Sequence, residues 1–217
     1  MNIALIGATG FVGSAVLDEL LQRGHRVTAL ARNPGKLPAR ERLNVVAVDA
    51  TLPADVAAAV EGHDAVISAF NAGWDNPQLY QQFLDGSRAI LAGVQRARVR
   101  RLLVVGGAGS LYVAPGVQLV DTPSFVESVP ANVAPGAQAA RDFLVELRRE
   151  TQLDWVYVSP PALLQPGARS GHYRVGANDL LMDGDKPAGI TVSDLAVAIV
   201  DEIESPKHSR GRFTVAT

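Results

Sequence analysis

Short apolar runs rich in β-branched side chains recur along the chain at residues 3–6, 27–30, 45–48, 65–69, 102–105 and 155–158, with longer helical stretches between them. A continuous apolar run, rather than an alternating one, is what a strand buried on both faces needs, so the pattern predicts six parallel strands. Helices are predicted over 10–23, closed by Gly24, over 53–60, closed by Gly62, and over 77–98, 135–150 and 193–204. Strands that alternate with helices are joined by right-handed crossovers. The fold class is therefore α/β: a doubly wound, mostly parallel sheet with helices on both faces.

Two stretches break the alternation. Residues 112–134 carry only Asp121 and Glu127 as charges and are longer than most connections, which suits a lid or binding loop, or alternatively a surface insertion. After Ser159 the order loosens into turns at Pro160, Pro161, Pro166, Gly167, Gly171 and Gly176. No linker or internal repeat separates a second unit. One domain over 1–217 is expected, with a core over 1–110 and small cap segments at 111–134 and 160–190, above the C-terminal ends of the strands.

Candidate chemistry begins directly after the first strand. Gly7-Ala8-Thr9-Gly10-Phe11-Val12-Gly13 opens the first helix, so backbone N–H groups and the helix dipole converge on one anion site, and a pyrophosphate is its natural occupant. Gly7 allows the tight turn, Gly10 the close approach of the ligand, and Gly13 the packing of helix on strand. Strand, glycine turn and helix in this order define a three-layer Rossmann-type, dinucleotide-binding fold. An acidic residue ending the second strand would hold the ribose hydroxyls of NAD; Arg32 stands there instead, with Lys36 behind it, which favours the 2'-phosphate of NADP. Asp49, after the third strand, is placed to meet the adenine amino group, and Ala69, Phe70, Asn71, Ala72 and Gly73, after the fourth, to line the ribose.

These motifs resemble the short-chain dehydrogenase/reductase superfamily, which carries a Ser after the fifth strand and a Tyr-x-x-x-Lys pair on the next helix. Ser110 matches the Ser. Leu84, Gly116, Pro161 and Ala177 stand four residues beyond Tyr80, Tyr112, Tyr157 and Tyr173, so the pair is absent. The first half of the chain, residues 103–111, Trp155 to Pro161, residues 171–174 and the helix at 193 are together similar to the atypical branch of that superfamily. That branch holds NAD(P)H-flavin reductases, biliverdin reductase B-like proteins and NmrA-type redox sensors. The resemblance implies that Gly107 and the Pro160-Pro161 turn border the cofactor, while Ala162 stands where the reductases often have a His.

A flavin acceptor fits the missing acid, because the hydride goes to a ring nitrogen and the proton can come from water, leaving positioning as the main catalytic device. Ser110, Tyr112 and His172 are the candidate catalytic residues, with Tyr112 and Phe125 offering apolar surface to a planar acceptor. The reading is an NADPH-dependent reductase of flavin-like or quinone-like acceptors, NAD being the less favoured cofactor and flavin a possible substrate. A dinucleotide-binding redox sensor is the alternative, and a nucleotide-sugar epimerase or dehydratase, lacking its tyrosine base, comes third. Net charge is -2, which disfavours nucleic acid or an anionic membrane surface, and cysteine is absent, which removes thiolate chemistry. The four His show no metal-ligand spacing. Glycines interrupt both long uncharged runs, so no membrane helix or signal peptide is expected and a cytoplasmic location is; monomer and homodimer both stay open.

Overall fold

The computed structural model describes residues 1–217. Eight strands form one sheet: β1 (Asn2–Ile6), β2 (Arg26–Ala31), β3 (Leu43–Ala47), β4 (Ala65–Ser68), β5 (Arg101–Val105), β6 (Asp154–Ser159), β7 (Arg174–Gly176) and β8 (Gly211–Ala216). Their order is β7-β8-β6-β5-β4-β1-β2-β3, and all pairs are parallel except β7 with β8. Chain direction across the sheet reverses between β1 and β4, which makes the C-terminal ends of these two strands the switch point where such sheets bind ligands.

Six helices are present: α1 (Phe11–Gln22), α2 (Pro53–Val60), α3 (Leu79–Arg96), α4 (Pro123–Ser128), α5 (Ala134–Leu147) and α6 (Val192–Glu204). α1 packs on α6 on one face of the sheet, and α3 packs on α2 and α5 on the other. Each central strand feeds both cores alternately. Ile3, Leu5, Leu103, Val156 and Val158 join the core under α1 and α6, while Ala4, Ile6, Leu102, Trp155 and Tyr157 join the core under α3 and α5. This two-sided burial explains the unbroken apolar runs, each large aliphatic contributing about 1.5–3 kcal/mol.

The six expected strands are all present, and two more complete the sheet. The last helix is followed by β8, whose sequence Gly211-Arg212-Phe213-Thr214-Val215-Ala216 alternates polar and apolar yet is buried from Arg212 onward. An alternating strand buried on both faces must satisfy its polar side chains internally, and Arg212 does so. Its Nη1 donates to the Ser110 carbonyl and hydroxyl, both at 3.0 Å, while Nε and Nη2 donate to Asn178 Oδ1 at 3.1 and 2.9 Å, and Nη2 also to the Asn178 carbonyl at 3.0 Å. Residues 112–134 hold a small hairpin (Tyr112–Ala114 with Val117–Gln118), a helical turn and α4. The Tyr112 backbone bonds to Asn178 and Leu180, which joins this segment to the turn-rich region beyond β7.

A second polar anchor holds the chain at 167–173. Asp194, in the first turn of α6, is 1% exposed, and its Oδ1 accepts the N–H groups of Ser170 and Gly171, both at 2.8 Å. Its Oδ2 accepts the Ser170 hydroxyl at 2.8 Å and the Thr191 hydroxyl at 3.1 Å. Burial pushes this carboxyl up, but the hydrogen bonds from Gly171, Ser170 and Thr191 outweigh it and hold it below the usual range. A depressed native pKa gives stability that is present above the unfolded value, about 3.9, and lost as pH falls through the folded value. Asp194→Asn is therefore expected to cost about 1–3 kcal/mol at neutral pH. Urea melts from pH 7 downward should also show a flatter loss of stability below about pH 4 in the variant than in the wild type. Parallel acid limbs would count against this anchor.

Candidate functional site

The turn between β1 and α1 is shaped by two glycines that accept no other residue. Gly7 has φ +84°, and a Cβ there would lie 2.3 Å from the Ala69 carbonyl oxygen; a Cβ on Gly13 would lie 2.0 Å from the Gly7 carbonyl oxygen. Gly10 is different. Its φ of -85° suits any residue, and a Cβ would meet only the Gly7 carbonyl oxygen, at 3.3 Å, so no protein atom fills the space above it. α1 has no side-chain cap and no acidic residue in its first turn, so its leading N–H groups and dipole are open to an anion. An open helix start above a bare glycine is what a pyrophosphate needs, and the residues present fit a dinucleotide.

From this turn a cleft of about 130 Å³ runs over the ends of β1, β2 and β3, and it brings together Gly7, Thr9, Arg32, Asp49, Phe70 and Asn71. Gly10, Phe11, Val12 and Gly13 form the helix start beside it, and Ala69 backs Gly7. Arg32 is exposed and its guanidinium makes no hydrogen bond or ion pair. Asp49 Oδ1 accepts the hydroxyl and N–H of Thr51, at 2.7 and 3.0 Å. These bonds, with the nearby Arg32 charge, hold its carboxyl below the usual range, so it stays an acceptor for an amino group. Ala72, expected in the loop after β4, lines the cleft as well; Ala50, Thr51 and Gln82 also line it, and sequence reasoning missed them. Asp49-Ala50-Thr51 reads as an Asx turn in hindsight; Gln82 has no local signal, because its place depends on how the loop after β4 delivers α3.

The other expected residues lie outside this cleft. Gly107 is half-buried after β5, and Pro160 and Pro161 are buried after β6. Ser110 is 1% exposed, its hydroxyl bonded by Arg212. Tyr112 lines a separate cavity of about 590 Å³ formed by its own hairpin with Asp179, Leu180 and Met182, with its phenol unbonded. His172 is on the exposed turn held by Asp194, and its ring makes no hydrogen bond. The other three tyrosines are committed elsewhere: Tyr80 to Asp142 at 2.7 Å, Tyr157 to the Ala140 carbonyl at 2.8 Å, and Tyr173 to Asp201 at 2.5 Å. No three His, Asp or Glu side chains are grouped to hold a metal, and no helix is long and apolar enough to cross a membrane.

Sheet order, glycine turn and cleft together define a Rossmann-type protein that binds a nicotinamide dinucleotide. A family model described as NAD(P)H-binding matches residues 7–206, and the chain belongs to that family. It is similar to the uncharacterized protein YwnB of Bacillus subtilis, at 34% identity over 100% of this chain and 99% of the relative. A proposed epimerase from Bacteroides thetaiotaomicron matches with TM-score 0.90 and 44% identity, covering 99% of this chain and 96% of that one. A proposed NADH-flavin reductase from Streptococcus pneumoniae matches with TM-score 0.82 and 32% identity, covering 100% and 99%. These neighbours agree with the atypical short-chain reductase branch.

Proposed function

We propose that the protein is an NADPH-dependent reductase of flavin-like or quinone-like acceptors. The observation that carries this reading is the absence of a tyrosine acid at the site, since three of the four phenols are bonded to protein and Tyr112 faces its own cavity. Epimerisation, the activity proposed for the Bacteroides neighbour, needs such a base; a flavin, the acceptor of the Streptococcus neighbour, does not. When bound, a reduced nicotinamide supplies the hydride, and water supplies the accompanying proton. The open start of α1 binds the pyrophosphate, Asp49 accepts from the adenine amino group, and Phe70 and Asn71 wall the ribose. Ser110, fixed by Arg212, holds the loop after β5, with Gly107, Pro160 and Pro161 bordering the nicotinamide; Tyr112, in its own hairpin cavity, and His172, on its exposed turn, keep their polar atoms free but stand apart from the cleft.

Arg32, unpaired at the rim, takes the 2'-phosphate. Arg32→Glu is expected to raise the NADPH Kd by about 10-fold or more while changing that of NADH little, because only the 2'-phosphate meets the new charge. Calorimetric titration of both nucleotides checks this, and equal losses for the two would sink the 2'-phosphate assignment. The function itself is tested by NADPH oxidation with FMN, riboflavin and a quinone. Acceptor-dependent oxidation supports the reductase. Tight NADPH binding with no turnover on any of them would replace it with a dinucleotide-responsive sensor.

A further inference from the structure

The loop that leaves β4 carries an exposed aromatic residue, Trp74. Trp74 is 49% exposed and its indole N–H has no partner, whereas Trp155, the only other tryptophan, is 2% exposed and donates to the Glu150 carbonyl at 3.1 Å. An exposed indole with a free N–H offers an aromatic plane and a donor to a ligand. The backbone around it is pinned. Asn71 Oδ1 accepts the Gly73 N–H at 2.6 Å, and Asn76 donates its Nδ2 to the Ala72 carbonyl at 3.2 Å and its N–H to the Gly73 carbonyl at 3.1 Å. Ala72, two residues before the ring, lines the dinucleotide cleft.

α5 places the ring relative to the loop after β5. A Cβ built on Gly136 would lie 3.0 Å from Trp74 Cζ3, so one edge of the indole rests against the first turn of this helix. One turn further on, Ala140 lies under Gly107, whose own Cβ would be 3.9 Å from the Ala140 methyl. Positions four apart share a helix face and are separated by about 6 Å along the axis. Trp74, in the loop after β4, and Gly107, in the loop after β5, therefore touch the same short stretch of α5, beyond the ends of these two strands. That is the end of the crevice opposite Arg32 and Asp49, where the reacting end of a dinucleotide must lie once its adenosine occupies the cleft.

We propose that Trp74 is the stacking face for the planar aromatic acceptor, a tricyclic flavin ring being the class it fits best. The proposal rests on the reductase reading above, and it makes the acceptor site a face built by the β4 loop and α5. The chain supplies one pinned aromatic plane with an adjacent small-residue surface, and a flat ring gains from such a plane without any matched hydrogen bonds, which suits a reductase of several related acceptors.

The test is FMN binding to the full-length protein saturated with NADP+, read by equilibrium dialysis, so that the readout does not depend on quenching of the flavin by a stacked indole. Trp74→Leu should raise the FMN Kd by about 10-fold and Trp74→Phe by less than about 3-fold, with the NADP+ Kd unchanged in both. In turnover, Trp74→Leu should raise KM for FMN by the same factor and leave kcat within about 2-fold. Wild-type FMN affinity in Trp74→Leu would overturn the platform, as would an equal loss of NADP+ affinity, which would assign the ring to the nicotinamide. Saturable FMN binding that Trp74→Leu weakens, without NADPH oxidation, would keep the platform and overturn the reductase; no saturable FMN binding by the wild type would overturn the platform.

Discussion

Gly10→Val is expected to abolish measurable NADPH binding in a protein that still folds, and Gly13→Val to lose binding and fold together. The two glycines are three residues apart, and the difference follows from what surrounds each. At Gly10 the backbone is ordinary, with φ -85°, and a Cβ touches only one carbonyl oxygen, at 3.3 Å. A branched side chain there projects into the space that the pyrophosphate must enter, so the ligand, not the protein, is excluded. An increase in Kd of about 100-fold or more is expected, with Tm within about 2 °C of the wild type. At Gly13 the added Cβ would sit 2.0 Å from a backbone oxygen, and backbone cannot swing aside as a flexible side chain can. α1 must then lift from β1, and Val16, Leu17 and Leu20, all buried under it, lose packing. Overpacking typically costs about 1–3 kcal/mol and occasionally more, and a 2.0 Å approach to backbone belongs at the upper end. Calorimetric NADPH titration and thermal melts on both variants separate the cases. A Gly10→Val protein that binds NADPH normally would remove the pyrophosphate from this turn.

The same residues show what was legible beforehand. The central strands could be read because both faces of each are buried, which forces an uninterrupted apolar run, and the phosphate turn because its chemistry is local, seven residues from Gly7 to Gly13. What escaped depends on distant contacts. β8 alternates, and Arg212 can be buried in it only because it finds Ser110 and Asn178, 102 and 34 residues away in sequence. Gln82 reaches the cleft only through the path of the loop after β4, and Trp74 gains meaning only beside Gly136, 62 positions later in the chain. Ser110 is the instructive case, since its position after the fifth strand matched a family pattern while its hydroxyl is already bonded by a cation from the last strand. Sequence position set which loop it occupies, and a nonlocal partner set what its oxygen does.

Arg212→Met, in β8 where the loop after β5 meets the 112–118 hairpin, is expected to cost about 1–3 kcal/mol. Arg212 is 7% exposed and has no carboxylate partner; all its hydrogen bonds go to the neutral oxygens of Ser110 and Asn178. Burial and the nearby Arg148 charge both pull its pKa down, yet a guanidinium stays charged across the working pH range, so the cation is held by dipoles alone. Methionine fills the volume but leaves the buried Ser110 hydroxyl without its donor and the Ser110 carbonyl with only the Gln118 Nε2 bond at 3.0 Å, and that unmet need is the larger part of the cost. Lysine should recover little, because a single ammonium cannot span Ser110 and Asn178 as the planar fork does. Ser110 ends the loop that begins at Gly106, and the Asn178 carbonyl accepts from the Tyr112 N–H, so the clamp joins the loop after β5 to the 112–118 hairpin. Losing it should expose residues 112–133 to proteolysis before global unfolding and weaken NADPH binding by a few fold. Urea unfolding and limited proteolysis of Arg212→Met and Arg212→Lys decide the matter. If Arg212→Met were as stable and as resistant as the wild type, the hairpin would be held by its own backbone bonds to Asn178 and Leu180, and the loop after β5 would be set by α5 alone.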